Sequence, residues 1–442
     1  MMKRINTKTI ALAGVLLALA GAAKAQDNAP LIDLLVKKGI VNDQEGEELK
    51  AELVKNFAAT TSAGKLSLGS AITELKLSGD VRVRHQEEDR NSEALPTTNQ
   101  WQRRERVRLR FALDATLQQG WAAGFAFQTA QAADSGNQTF SSGQDNYGMY
   151  LSRAYVSYKP NKDLFLTAGK FKNPMYSTDM VWDTDINPQG AAETYTYNIG
   201  GASGKDTLEF RAGQFWMQDV TEWKNAGPKR RDAILFHQQA VYSLFFGAKS
   251  ADSLVIAPGF FAYTASDLSG GAALGNETPF NGTARHLKVI TLPGELNFAN
   301  VAGEGTSLKA YWDFAYNTEA DNRLHKAYGI ASTTKWKSDP TAWLVGVGYG
   351  YGLGKLAGDY SVKLDYRSLG IGSIDPNTSD SDFGFGNLNQ EGVKLSTSYN
   401  VTDFASFGVN YFHTTAAQKG LITAVSSLRG SDILQIDLNV KF

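Results

Sequence analysis

The chain has 442 residues, with 44 Lys and Arg against 45 Asp and Glu, so a net charge of −1 gives no bulk basicity for nucleic acid. Cysteine is absent, which excludes disulfide staples and thiolate metal sites and suits export through an oxidising compartment. A mean hydropathy of −0.29 is too polar for a bundle of membrane helices but not for a barrel, whose strands touch lipid with only every other residue.

In chain order, residues 1–25 have the form of a secretory signal peptide. Lys3, Arg4 and Lys8 give a charged start, an apolar core runs over 10–20, and Ala23-Lys24-Ala25 is a small-x-small cleavage site. The mature chain is expected to begin at Gln26. Its apolar core is too short to span a bilayer, and no other run is long enough for a transmembrane helix. Residues 26–58 then carry Leu31, Leu34 and Leu35, and Leu49, Leu53 and Val54, at helical spacing. Gly39 ends the first helix and Asn42 or Asp43 caps the second. This is a periplasmic helical hairpin or a coiled-coil element, either a generic appendage or a contact that assembles copies or touches the cell wall. A Thr/Ser/Gly linker, 59–72, separates it from residues 73–442.

From Thr73 onward the pattern changes to period two. In WQRRERVRLRFALDATLQQGW (101–121), Arg104, Arg106, Arg108 and Arg110 share one parity, and Val107, Leu109, Phe111, Leu113 and Leu117 share the other. An arginine pointing at lipid near the midplane costs roughly 2–4 kcal/mol, so this row points inward, into water. The same two-faced reading separates Leu308, Ala310, Trp312, Phe314 and Tyr316 from Lys309, Tyr311 and Asp313. It sets Tyr360, Val362, Leu364 and Tyr366 against Ser361, Lys363, Asp365 and Arg367, and Leu434, Ile436, Leu438, Val440 and Phe442 against Gln435, Asp437, Asn439 and Lys441. Segments 163–172, 232–247 and 253–264 are ambiguous, because Pro258 or a bulge can break their parity.

About sixteen such segments follow one another, an even number that returns the chain to the side where it began. Their connections alternate between short ones, such as 118–120, 160–162 and 401–402, and long ones, such as 132–147, 173–192 and 369–388. Short inner turns and long outer loops are the barrel pattern. The expected fold is all-β, a transmembrane antiparallel barrel preceded by the helical segment.

With the signal, the preface LIDLLVKKGIVNDQEGEEL, the strand LTAGKFKNP (166–174) and the closing Phe442 in place, the chain resembles the outer-membrane porins of Gram-negative bacteria. It is most similar to the putative-porin group related to phosphate-selective porins. The resemblance implies an outer-membrane location among lipid and lipopolysaccharide, a homotrimeric diffusion channel for small ions and solutes, and a third long loop that narrows the bore. It also implies that Phe442 is read by the barrel-assembly machinery. The third long connection, 173–192, carries Asp179, Asp183 and Asp185 among Met175, Tyr176, Met180 and Trp182. Apolar residues would pin it to the wall while carboxylates face Arg82, Arg84, Arg104, Arg106, Arg108 and Arg110, with Lys363 and Arg367 completing a basic lining. Opposed charges across a narrow aqueous gap select ions, and basic dominance favours anions. A phosphate-specific channel is the alternative, and it requires those cations to meet in a ring.

Other features have plainer readings. GVGYGYGLG (346–354) places glycine at every second position, so it is a strand with a bare face and not a phosphate loop; either an inward loop docks there or aromatic neighbours pack across it. Ala122, Gly124 and Ala126 suggest a similar patch. His85, His237, His286, His325 and His413 lack metal-ligand spacing. No catalytic triad or carboxylate pair can be assembled, and no cofactor is implied. The competing class, a secreted β-rich carbohydrate-binding protein, would leave many one-sided apolar strands with nothing to bury against.

Overall fold

Alternating side chains give each strand one apolar and one polar face, and the chain satisfies both by rolling its sheet shut. The computed structural model describes residues 68–92, 100–141, 143–218, 232–264, 286–328, 339–421 and 428–442. The expected signal peptide, the helical segment 26–58 and most of the linker lie outside them. The wall runs β1 Ile72–Ser92, β2 Gln100–Leu117, β3 Trp121–Gln128, β4 Tyr150–Tyr158, β5 Leu164–Lys170, β6 Gln189–Gly200, β7 Asp206–Gln218 and β8 Ala233–Phe246. It continues as β9, Asp252–Ile256 then Gly259–Tyr263, and β10, Lys288–Thr291 then Gly294–Ala299. β11 Thr306–Asn317, β12 Thr341–Tyr351, β13 Tyr360–Leu369, β14 Gln390–Asn400, β15 Ala405–Ala416 and β16 Leu428–Lys441 complete it. All neighbours are antiparallel, and β1 pairs with β16 from Asp80↔Lys441 to Ser92↔Leu428, so the sheet is a closed barrel of sixteen strands. A two-residue ribbon, Gln138–Thr139, adds to β2 from the loop after β3.

Each expected segment overlaps one of these strands, and the ambiguous ones resolve. Parity does not break at Pro258. Ile256 faces Tyr242 and Gly259 faces Gln239, one register on both sides of the proline. Pro293 on β10 sits beside Ala257 and cannot donate to it. The Gln239 carboxamide replaces the missing N–H, donating to the Ala257 carbonyl at 3.1 Å, while Ala257 N–H donates to the Pro293 carbonyl at 2.9 Å. A proline costs a sheet one donor, and here a neighbouring side chain supplies it.

The outer face is hydrocarbon. Leu308, Phe314, Val345, Val347, Leu364 and Leu438 are all exposed, as lipid-facing positions in a closed barrel must be. Trp121 stacks on Tyr158 at 4.4 Å and Trp343 on Tyr366 at 5.4 Å, aromatic pairs of the kind that mark membrane–water boundaries. The bare face of GVGYGYGLG is explained by packing: a Cβ on Gly346 would collide with the ring of Tyr311, whose hydroxyl donates to Asp365 at 3.1 Å. Gly124 lies in the same way under Tyr155. Gly79 lies under Phe442, and these two residues exchange backbone hydrogen bonds of 2.8 and 3.0 Å where the barrel closes.

The bore is not an even tube. Much of it is filled by a dry cluster that includes Phe171, Met180, Trp182, Phe215, Leu235, Phe261, Leu344, Ile374 and Phe383. Leu324, on the short helix Ala320–Tyr328, joins it. Open space is left toward the β1–β3 and β16 side. Gly346→Val should force Tyr311 out of place at a cost of about 1–3 kcal/mol, seen as a lower midpoint for heat unfolding in detergent. Tyr311→Ala in the same chain should recover part of the loss; an unmoved midpoint for Gly346→Val alone would contradict this packing.

Candidate functional site

Parity delivers the wall charges. Arg82 and Arg84 on β1 and Arg104, Arg106, Arg108 and Arg110 on β2 all point inward and line one cavity of about 1350 Å³. Their partners are mostly acids of the wall itself. Arg84 holds Asp437 of β16 through two hydrogen bonds, 2.7 and 2.8 Å, the bidentate geometry that fixes a guanidinium most firmly. Arg108 and Arg110 share Asp80 at 2.8 Å each, and Arg104 pairs with Glu88. Arg82 reaches Asn137 at 2.6 Å. Arg106 is different: it contacts Gln86 at 3.2 Å, with Ser135 and the Asn137 carbonyl at 3.5 Å, and no carboxylate among the described residues pairs with it. The Nε atoms of Arg104, Arg106 and Arg108 are buried and have no hydrogen-bond partner among the described residues.

The connection 171–188 lies inside the bore against the inner wall. Met180 and Trp182 are buried, Trp182 packing edge-on to Phe215 at 5.8 Å. Gln239 clamps the Tyr176 backbone from both sides, accepting from its N–H and donating to its carbonyl at 2.8 Å each. Thr178 donates to Asp313 through its hydroxyl at 2.8 Å and its N–H at 3.1 Å. Of the three expected acids, Asp185 touches the basic wall directly, 3.2 Å from Arg110. Asp179 accepts from Lys394 at 3.1 Å, and Asp183 lines the same cavity.

The connection expected at 369–388 as a long outer loop also enters the bore, which was not read from the sequence. Residues 370–389, between β13 and β14, also fold inward and interlock with the first loop. Asp183 N–H donates to the Thr378 carbonyl at 2.6 Å, the Thr378 hydroxyl donates to the Val181 carbonyl at 3.0 Å, and Asp380 N–H donates to the Asp179 carbonyl at 2.9 Å. Arg367 belongs to this latch. It is buried between Asp365 at 2.7 Å and Asp380 at 3.0 Å with its guanidinium over Phe383, and it is not among the residues lining the cavity. Lys363 faces inward but does not line the cavity either. Lys394 closes the network, 3.0 Å from Asp380. The only sequence signal for this loop was its length and its run of aspartates and small residues, which has no periodicity to read.

Two loop carboxyls are displaced in opposite directions. Burial pushes Asp183 up to about 9, and the negative charge of Asp380 adds to the effect. Burial would also raise Asp380, but Lys394 and Arg367 outweigh it and hold that carboxylate low. The network therefore keeps one acid ionised and the other neutral.

The passage left between the loops and β1–β3, β15 and β16 carries twelve Lys or Arg side chains against eight Asp or Glu, although the whole chain is nearly neutral. A closed sheet with an apolar exterior and a charged interior is not a soluble sandwich. Among solved structures the chain is similar to OprB of Pseudomonas putida, at 12% identity over 83% of this chain and 94% of that one, with a TM-score of 0.48. It is similar to Salmonella typhi OmpF at 10% identity over 83% and 97%, TM-score 0.47. It is similar to an Rh. blastica porin mutant at 10% identity over 84% and 100%, TM-score 0.42. No curated protein matches at the sequence level. A family profile described as putative porin matches residues 80–267 and 264–442, nearly the whole of the barrel. The chain belongs to that family and is, at this level, a general outer-membrane channel.

Proposed function

We propose that the channel admits small hydrophilic solutes and favours anions. The observation that supports this reading is the excess of cations along the passage, twelve against eight, with Asp183 neutral at ordinary pH. Fixed charges of one sign concentrate counter-ions in a narrow aqueous path. Arg106 has no carboxylate partner among the described residues, so its charge is left uncompensated beside the passage. With Arg104 and Arg108 at the neighbouring inward positions of β2 along the same cavity, a phosphate-like solute is the second reading, which phosphate block of a chloride current would support. The carboxylates held by the same wall keep the site from being purely cationic, so a general anion-preferring pore is the first reading.

The reading extends to export and assembly. Residues 1–25 direct export, Phe442 serves as the assembly signal, and the mature barrel sits among lipopolysaccharide as a homotrimer.

Arg106→Glu together with Arg108→Glu should move the reversal potential under a KCl gradient toward cations. Reversing one charge about 5 Å from an ion changes its energy by roughly 1.5 kcal/mol even in bulk water, about a tenfold change in local occupancy. A potential that stays where it was would remove these arginines from the selective path. Alkaline titration offers a second check. Asp183 loses its proton as pH rises through about 9, adding a negative charge, so anion preference should fall there and Asp183→Asn should abolish the fall. A variant that still loses preference over the same pH range would assign the effect to another group.

A further inference from the structure

The short turn FGFG, Phe383–Gly386, in the inward loop 370–389 sends its two rings to different places. Phe383 is fully buried in the dry cluster, with the Arg367 guanidinium 5.2 Å from its ring centre. Phe385 packs against the edge of that cluster and stays half-buried, with the Arg90 guanidinium 3.6 Å from its ring centre. Arg90 lies on β1, two residues before the strand ends at Ser92, and both Arg90 and Phe385 line the passage.

The two stacked arginines differ in what else they hold. Arg367 is saturated by Asp365 and Asp380. Arg90 pairs with no carboxylate and makes no hydrogen bond among the described residues; its contact is the ring. Glu88, the inward acid before it on β1, is already taken by Gln86 and Arg104. A ring against one face of a guanidinium leaves the N–H donors, which lie in its plane, open at the edge. Arg90 is thus held in place with its fork unused.

Phe385 is also held at a cost. Its φ is +53°, in the left-handed region, between Gly384 at +58° and Gly386 at +70°. Glycine takes that conformation freely, whereas a residue with a Cβ does not. Strain of this kind persists where the surrounding structure enforces it, and here it presents an aromatic ring to the passage.

We propose that Arg90 and Phe385 form a capture site for aromatic carboxylates near the mouth of the passage, a reading that rests on the passage being a route for anions. The carboxylate takes the edge of the Arg90 fork through two hydrogen bonds, and the flat body attached to it covers the exposed part of the Phe385 ring. The stack has already fixed the guanidinium, so less freedom is lost when the solute arrives. Chloride can use the charge alone, and a small aliphatic carboxylate the charge and the fork. The pair therefore sorts anions by shape.

Phenylacetate is acetate with a ring attached, so these two anions isolate what the ring adds. In calorimetric titration of the full chain in detergent, phenylacetate should bind about tenfold more tightly than acetate, and in planar bilayers it should block the chloride current at correspondingly lower concentration. Arg90→Lys keeps the charge without the flat fork and should weaken phenylacetate about tenfold. Phe385→Leu should bring phenylacetate down to the level of acetate; if that variant does not fold, Arg90→Lys, near a strand end, still decides. Equal affinity of the parent for the two anions, or an Arg90→Lys variant that binds phenylacetate as its parent does, would overturn the proposal. A parent that conducts with anion preference but gives phenylacetate no advantage overturns it and leaves the channel reading standing. One that binds phenylacetate through Arg90 yet passes no current supports the site and removes the channel.

Discussion

Hydrocarbon gives a backbone no partner for its N–H and C=O groups, so a sheet that enters it must have no edge. Everything else here follows from meeting that condition. The ladder closes from β1 around to β16, and where proline removes a donor from it, Gln239 fills the gap. Closing the sheet also separates two solvents, so every inward residue is withdrawn from lipid and every outward one from water. The arginine row of β2 is stable only because that separation exists.

The interior is then divided a second time. Two loops enter the bore and hold each other through backbone hydrogen bonds and the Arg367–Asp380–Lys394 network. Buried ion networks of this kind gain little net stability over packed hydrocarbon, but removing one member leaves an uncompensated charge, so they fix geometry. With the wall behind them they form an apolar core that includes Phe215, Trp182 and Phe383. In front lies a charged passage. The protein thus has a core like that of a soluble domain on one side of its lumen and a conduit on the other.

How much of this the sequence disclosed depends on the kind of order involved. Strand identity, facing and closure are periodic properties, and period two is visible in the residues from Arg104 to Leu117 without any structure. The loop carrying Asp179, Asp183 and Asp185 was legible from its position and its mixture of aromatic and acidic residues. The loop at 370–389 was not, because it is held by contacts with residues nearly two hundred positions away, such as Thr378 with Val181. The pairing of Arg84 with Asp437 was hidden for the same reason: it depends on the register of the first strand against the last. Arg367, read as lining, proves to anchor a loop, since parity gives a direction but not a depth. Tyr311 over Gly346 was one of two stated possibilities, and only the cross-strand register chooses between them.

One of these long-range contacts bears on how the barrel is finished. The seam between β1 and β16 is also the wall of the conduit, and its register brings the buried Arg84 and Asp437 face to face. Sliding the seam by two residues would keep the oily face outside and preserve most hydrogen bonds, so apolar patterning alone does not forbid it. Slid one way, it would set Arg84 against Asn439 and Asp437 against Gln86, and the buried guanidinium and carboxylate would lose each other. The ion pair therefore helps hold the seam in step, and Arg84, which lines the conduit, serves the joint of the cylinder as well.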